Sequence, residues 1–169
     1  LASSAASDVY KRQLIYKLKK AEGDLPVNIL IVADEPGLTV QGDAASLHRL
    51  AVILLDNAIK YAGTGGAVTL RLAAAGSQAV LTVHNTGTPI SPDRLPHIFE
   101  RFYRAEKSRN TKGHFGLGLS IACEIVTAHH GHLWVTDTNG GGSTFFIGFP
   151  VEISYVFLYN IEDIISVSY

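Results

Sequence analysis

The chain has 169 residues, enough for one domain with a real core, and its 14 basic residues nearly balance its 15 acidic ones, which excludes a bulk attraction to nucleic acid or to an anionic membrane. A single cysteine, Cys123, excludes an internal disulfide and a multi-cysteine zinc site and reads as core packing in a reducing compartment. No apolar run approaches the ~20 residues of a bilayer span and no signal peptide is visible, so a soluble cytoplasmic domain is expected.

Leu1 to Gln13 is rich in Ala and Ser, and its run Ser-Ala-Ala-Ser-Asp-Val-Tyr-Lys-Arg-Gln resembles adapter read-through in translated sequence assemblies. Residues 1–13 are therefore expected to be a non-native leader outside the fold. Leu14 to Ala21 reads as a short basic helix. Val27 to Val32 is a β-branched strand run bounded by Pro26 and by the turn residues Asp34, Pro36 and Gly37, and Leu38 to Gln41 returns as a second strand. Asp43 or Ser46 then caps a helix running to about Ala62. Its apolar stripe is Leu47, Leu50, Ala51, Leu54 and Ala58, and beside it Asn57, Lys60 and Tyr61 project together.

Gly63-Thr64-Gly65-Gly66 stops that helix. Val68, Leu70 and Leu72, then Leu81 and Val83 after the Gly76-Ser77 turn, alternate as a hairpin. From Asn85 to about Gly113 the chain turns rich in Pro and Gly, then basic, with Phe99, Phe102 and Tyr103 as aromatic anchors; a segment of that length in a compact domain reads as a functional lid. Leu117 to His130 is a second long helix, stopped by Gly131. Leu133 to Thr138 and Thr144 to Phe149 are strands joined by Asn139-Gly140-Gly141-Gly142 and closed by Pro150. The domain is thus expected over 14–150. The tail 151–169 is apolar without matching this pattern and stays open between a foreign end, an added strand and a partner-binding segment. Paired strands without strict β-α-β alternation predict an α+β sandwich: a mixed, mostly antiparallel sheet of about five strands with three helices on one face.

Several residues carry chemistry. Asn57 offers an amide oxygen to a hard metal ion, Lys60 an ammonium to a phosphate, and Tyr61 a ring to a flat heterocycle. Asn85 shares the parity of Leu81 and Val83, so it points to the helical layer, where its amide oxygen can accept from an exocyclic amine. Gly116 and Gly118 open a helix, where backbone N–H groups and the helix dipole attract an anion. No P-loop run of Gly-x-x-x-x-Gly-Lys with Ser or Thr occurs. His129, His130 and His132 are read as capping a helix end rather than ligating a metal.

In order, the chain shows Leu-Leu-Asp-Asn-Ala-Ile-Lys-Tyr (54–61), Asn-Thr-Gly-Thr-Pro-Ile (85–90), Ile-Phe-Glu-Arg-Phe-Tyr-Arg (98–104), Gly-Leu-Gly-Leu-Ser-Ile-Ala (116–122) and Gly-Gly-Ser-Thr-Phe leading to Phe-Pro (141–150). This series closely resembles the N, G1, F and G2 boxes of the catalytic, ATP-binding domain of two-component sensor histidine kinases, over about Val27 to Pro150. The resemblance implies the two-layer Bergerat sandwich with a flexible ATP lid.

It also implies roles. Asn57 would bind the Mg²⁺ that bridges the phosphates of ATP, Lys60 would meet a phosphate and Tyr61 would flank the adenine. Asn85 stands where the family usually has an aspartate, keeping the acceptor without the charge, and Pro89 replaces the second G1 glycine. Gly87 lets the base approach and Ile90 lines its pocket. Gly116, Leu117, Gly118 and Leu119 would cradle the phosphates, and Arg104, or else Arg109, would reach the γ-phosphate. Phe99 and Phe102 would pin the lid, and Thr144 would support the water beside the adenine.

Position 53 separates activities. Hydrolysing members of the superfamily place a glutamate four residues before the metal asparagine, and histidine kinases usually an asparagine; here it is Ile53, which cannot activate water. The resemblance therefore implies transfer of the γ-phosphoryl of ATP to a histidine on a separate dimerisation domain, with a response regulator downstream and a homodimeric parent in the plasma membrane. No histidine here is followed by an acidic residue and then Arg-Thr-Pro, so the phosphoacceptor domain is expected to lie outside this sequence. The alternative is a nucleotide-binding module without transferase activity; a serine kinase of the anti-sigma type fits less well, because the F box and its basic continuation resemble those of sensor kinases.

Overall fold

The computed structural model describes residues 13–18, 27–34, 39–103, 116–138, 141–151 and 158–160. In chain order these form β1 (Gln13–Leu18), β2 (Val27–Ala33), β3 (Thr39–Gln41), α1 (Ala44–Ala62), β4 (Ala67–Ala75), β5 (Gln78–Asn85), α2 (Gly118–Ala128), β6 (His132–Asp137), β7 (Ser143–Pro150) and β8 (Leu158–Asn160). The main sheet has the order β1-β2-β4-β5-β7-β6, with β2 parallel to β4 and every other pairing antiparallel. Its antiparallel four-stranded part, β4-β5-β7-β6, packs against the two helices, which makes the fold α+β.

Two expectations are corrected. Leu14 onward was expected to be helical, yet Gln13–Leu18 is an edge strand, so the described residues hold two helices rather than three. A run of six residues satisfies either periodicity, and a helix that short is not stable alone. The antiparallel register against β2, from Gln13 opposite Val32 to Leu18 opposite Val27, gives its backbone the partners a helical turn and a half would lack. The sheet is accordingly six-stranded rather than five. Part of the tail also has a place, since β8 pairs antiparallel with β3 in a separate two-stranded sheet.

The core lies between the helices and one face of the sheet. On α1 the stripe Leu47, Leu50, Ala51, Leu54, Leu55, Ala58 and Ala62 is buried. Across the sheet, the register aligns Leu72 with Leu81 and Ile147, Leu70 with Val83 and Phe145, and Val68 with Asn85 and Ser143. Each row is buried on the helical side, and burying one such aliphatic side chain contributes about 1.5–3 kcal/mol. The last row turns polar, with Asn85 and Ser143 only 1% and 3% exposed. It marks the end of the sandwich where chemistry begins. The other face is more open, and there Trp134 stacks on Phe146 with ring centroids 5.2 Å apart.

The helices are tied at their far ends. Asp43, not Ser46, is the N-cap of α1, its carboxylate accepting from the Ser46 N–H at 2.8 Å. The Asp43 N–H donates to His129 Nε2 at 3.0 Å, and Nδ1 of the same ring, 2.7 Å from the Ile125 carbonyl, must be its donor nitrogen. His129 thus caps the C-terminus of α2 and staples it to the start of α1, whereas His132, expected to cap with it, is the first residue of β6.

The Ser46 hydrogen bonds hold the Asp43 carboxyl below the ordinary aspartate range. A depressed carboxyl stabilises the fold above its unfolded-state pKa, and that contribution is lost as pH falls through the folded value. Asp43→Asn, which caps without titrating, should flatten the acid limb of a melting-temperature profile, whereas Asp43→Ala should lower melting at neutral pH as well.

Candidate nucleotide site

The site is assembled around the last two turns of α1. Ile53, Asn57 and Tyr61 recur every four residues and so share one face of the helix. Both ends of this stripe meet another segment. A Cβ built on Gly118, the first residue of α2, would lie 3.5 Å from Ile53 Cγ2. One on Gly87 would lie 2.1 Å from the Tyr61 carbonyl oxygen. Asn57, half-buried, lies between, and the eight steps from residue 53 to residue 61 rise about 12 Å along the axis.

The Asn85–Gly87 turn is held from three directions. Thr86 donates its N–H to the Ala67 carbonyl at 2.9 Å, and its Oγ1 accepts from the Ala67 N–H at 2.9 Å and donates to the Ala62 carbonyl at 3.4 Å. From the other side comes the glycine turn before β7: a Cβ on Gly142 would sit 1.8 Å from the Asn85 carbonyl oxygen. Gly87 and Gly142 also have φ of 116° and 87°, a region that L side chains rarely adopt. Asn85 points to the helical layer, as its parity required, and its Nδ2 donates to the Thr86 carbonyl at 2.9 Å.

At the Ile53 end, Gly116 has φ 71° and its carbonyl accepts from the Phe102 N–H at 3.0 Å. α2 then starts at Gly118 behind Leu117, with no side-chain cap on its first turn, so that turn's N–H groups suit an anion. Leu119 packs on the core, as does Ile90 beyond the Asn85 turn. Arg101 pairs with Glu124 of α2, which ties the segment before residue 104 to the helix after residue 115.

The polar groups of α1 are open to solvent: Lys60 is exposed and Tyr61 is 37% exposed, with Lys60 Nζ 4.9 Å from the Tyr61 ring centroid. Among the described residues no group of three or more His, Cys, Asp or Glu side chains converges on a metal position. A magnesium ion that arrives on a nucleotide needs few protein oxygens, and the Asn57 amide fits that demand.

Two expectations change. Thr144 pairs with His84 rather than with Asn85, so it lies on the opposite face, where its Oγ1 meets Thr138 Oγ1 at 2.6 Å and His84 Nδ1 at 3.1 Å. Ser143 is the hydroxyl that shares the Asn85 row, because one step along a strand reverses the side. Its signal was the alternation Ser143, Phe145, Ile147, Phe149. The Phe102 ring does not pin the segment, being 70% exposed with φ 66° at its backbone; the anchors are Phe99, edge-on to Phe145 at 6.5 Å, and Tyr103, which packs on the core. Arg104 and Arg109, with the middle of the expected lid, lie outside the described residues. Sequence reasoning also missed Thr86, whose threefold anchoring has no periodic signature.

Gly142→Ala and Gly87→Ala should each destabilise the fold by on the order of 3 kcal/mol, combining left-handed strain with a backbone overlap. Gly76→Ala, with φ 62° but open space around it, should cost only about 1 kcal/mol. Urea unfolding of the three variants checks this ordering.

Comparison with known proteins agrees with this geometry. The family described as histidine kinase-, DNA gyrase B- and HSP90-like ATPase matches residues 42–153. The sensor histidine kinase RppB of Synechocystis sp. is 44% identical over 111 residues, which cover 65% of this chain and 24% of that protein, so the chain spans about a quarter of that relative's length. Among solved structures, the mycobacterial sensor histidine kinase MprB superposes with a TM-score of 0.66 at 32% identity, covering 73% of this chain and 83% of that one. Histidine kinase ThkA, solved in complex with the response regulator protein TrrA, shares the fold with a TM-score of 0.62 at 24% identity, covering 75% of this chain and 34% of that one. A helix whose one face carries Asn57 between two glycine-lined contacts, on an α+β sandwich matched over these residues, identifies the chain as a member of the histidine kinase-, gyrase B- and HSP90-like ATPase family, and within it as the catalytic ATP-binding domain of a sensor histidine kinase.

Proposed function

We propose that this domain binds Mg²⁺-ATP along the Ile53–Asn57–Tyr61 face and donates the γ-phosphoryl to a histidine on the dimerisation domain of the same kinase, from which a response regulator takes it. The observation that carries this reading is the spacing of the two glycine contacts on α1. Gly87 approaches at Tyr61 and Gly118 at Ile53, about 12 Å apart, a span that suits an extended nucleoside triphosphate with its base at one end and its phosphates at the other. Asn57 lies between them.

In this reading the adenine enters beside Tyr61, Gly87 and Ile90, with Asn85 Oδ1 accepting from its amine and Ser143, rather than Thr144, lending the neighbouring hydroxyl. The Asn57 oxygen ligates the Mg²⁺, whose contribution is to neutralise charge on the phosphates. Lys60 leaves the Tyr61 ring to meet a phosphate, and the N–H groups of Gly118 and Leu119, with the turn Gly116–Leu117, receive the others. Arg104 contributes a further cation to the γ-phosphate. Catalysis rests on positioning and charge neutralisation, which is sufficient for phosphoryl transfer. The parent is a homodimer in the plasma membrane with this domain on the cytoplasmic side.

A second reading, nucleotide binding without transfer, is favoured by one observation. Ile53 is partly buried against the core where it faces Gly118, so the metal shell gains no second amide there.

The 169-residue chain titrated calorimetrically with ATP should bind in a Mg²⁺-dependent way, and mixed with a histidine-bearing dimerisation domain it should yield acid-labile phosphohistidine. Binding without phosphohistidine, with transfer appearing in Ile53→Asn, would establish the second reading; no nucleotide binding at all would remove both. Asn57→Ala should weaken Mg²⁺-dependent ATP binding at least about tenfold, the loss of one charge-assisted ligand of 1.5 kcal/mol or more. The same variant should leave Mg²⁺-free binding nearly unchanged.

A further inference from the structure

We infer that Thr144, which strand parity keeps out of the nucleotide site, acts on that site from behind: with Thr138 and His84 it forms a clamp on the open face of the sheet that fixes the Asn85–Gly87 turn, which makes these three positioning residues for nucleotide binding. This rests on the reading of that turn as one wall of the site. The clamp joins three strands at one end of the sheet. Thr144 Oγ1 lies 2.6 Å from Thr138 Oγ1 and 3.1 Å from His84 Nδ1, and Thr138 Oγ1 lies 3.4 Å from the same nitrogen. The register explains the meeting. His84 on β5 pairs with Thr144 on β7, and Thr138 follows Asp137, the last residue of β6 to pair with β7, so its side chain returns across the turn. A hydroxyl both donates and accepts, so the bonds close with either imidazole tautomer. With Nδ1 unprotonated, Thr144 donates to it and accepts from Thr138; with Nδ1 protonated, His84 donates to Thr144, which donates to Thr138.

The clamp reaches the site through the glycine turn before β7. The Gly141 N–H donates to the Thr138 carbonyl at 3.0 Å, so Thr138 holds that turn by its backbone as well as by its hydroxyl. The glycines in turn lie on the wall of the site. A Cβ on Gly142 would sit 1.8 Å from the Asn85 carbonyl oxygen, and one on Gly141 would sit 3.3 Å from the Gly87 carbonyl oxygen. At such separations the glycine turn cannot shift without either pushing residues 85–87 or opening a gap beside them. Thr86 ties the same wall to β4 and α1, and the clamp ties it to β6 and β7. One end of the sheet therefore carries two polar rows, Asn85 with Ser143 toward the helices and His84 with Thr144 on the open face. Thr144 is only 8% exposed, so water does not replace a hydroxyl removed there.

The test is calorimetric titration of the 169-residue chain with ATP, with and without Mg²⁺, in variants that remove one hydroxyl and keep the branched shape. Thr144→Val and Thr138→Val should each weaken ATP binding about threefold to tenfold, the range for one lost hydrogen bond. The factor should be the same with and without Mg²⁺, because the clamp acts at the Tyr61 end of the site and not at Asn57. Thr144→Ser, which restores the hydroxyl, should bind ATP as wild type does. Thr82→Val should do so too, since Thr82 lies on the same open face opposite Phe146, away from the glycine turn. A purely structural role would lower the melting temperature of Thr144→Val and Thr138→Val yet leave their affinity for ATP unchanged, and that result would overturn the clamp. Equal weakening in Thr82→Val, no rescue in Thr144→Ser, or a loss confined to Mg²⁺-loaded nucleotide would overturn it as well. Failure of wild type to bind ATP would instead overturn the underlying reading. Should Thr144→Val not fold by circular dichroism, Thr138→Val, at a half-buried position, decides the matter.

Discussion

The carbonyl end of α1 is the constraint on which the rest of the site depends. A helix leaves its last carbonyls without partners, and here Tyr61 and Ala62 present them to the Thr86 hydroxyl and to two glycines that approach too closely for any side chain. Gly66 would put a Cβ 2.1 Å from the Ala62 oxygen, and Gly87 one at the same distance from that of Tyr61. The helix is thereby seated on the β4–β5 end of the sheet at one height and one rotation. Asn57 and Tyr61 inherit their direction from that seat. The same contact makes the turn at residues 85–87 rigid, so the wall that faces the helix is fixed before any ligand arrives.

The second determinant is strand parity. Rows across β4, β5 and β7 are apolar until the last, where Asn85 and Ser143 replace the aliphatic pattern while keeping its phase. Because alternate residues point to opposite faces, the serine and the threonine beside it have entirely different surroundings: one closes the sandwich, the other joins His84 and Thr138 on the far face. The polar row closes the apolar sandwich at the end where Asn85 and Ser143 lie side by side.

The opposite end, at Ile53 and the start of α2, is held by side-chain contacts. Phe99 anchors the segment by an edge-on contact with Phe145, Arg101 reaches Glu124, and the Phe102 N–H meets the Gly116 carbonyl. The ion pair is largely exposed and contributes little by itself, so the apolar anchor carries the attachment. Ile53 continues the core into the place where a polar residue would otherwise meet the start of α2. The two ends of one helical stripe therefore differ in kind: backbone close approaches fix the Tyr61 end, and side-chain contacts hold the Ile53 end.

Much of this was legible in the residues themselves. The apolar stripe of α1, the alternation of β4, β5 and β7, the inward parity of Asn85 and the order of the motif segments all follow from local periodicity, which the chain carries wherever an element is long enough to repeat. Periodicity fails for short runs, and Gln13–Leu18 became a strand because β2 supplied its hydrogen bonds, not because six residues preferred it. It fails as well for choices that differ by one position, as between Ser143 and Thr144, where only the register across β5 tells the faces apart. The sequence alone determined which chemical groups this domain owns and along which elements they lie. Tertiary structure alone decided which of them meet, because close approaches such as Gly87 on Tyr61, Gly142 on Asn85 and Thr86 on Ala62 join residues far apart in the chain, and no local pattern records a contact made at that distance.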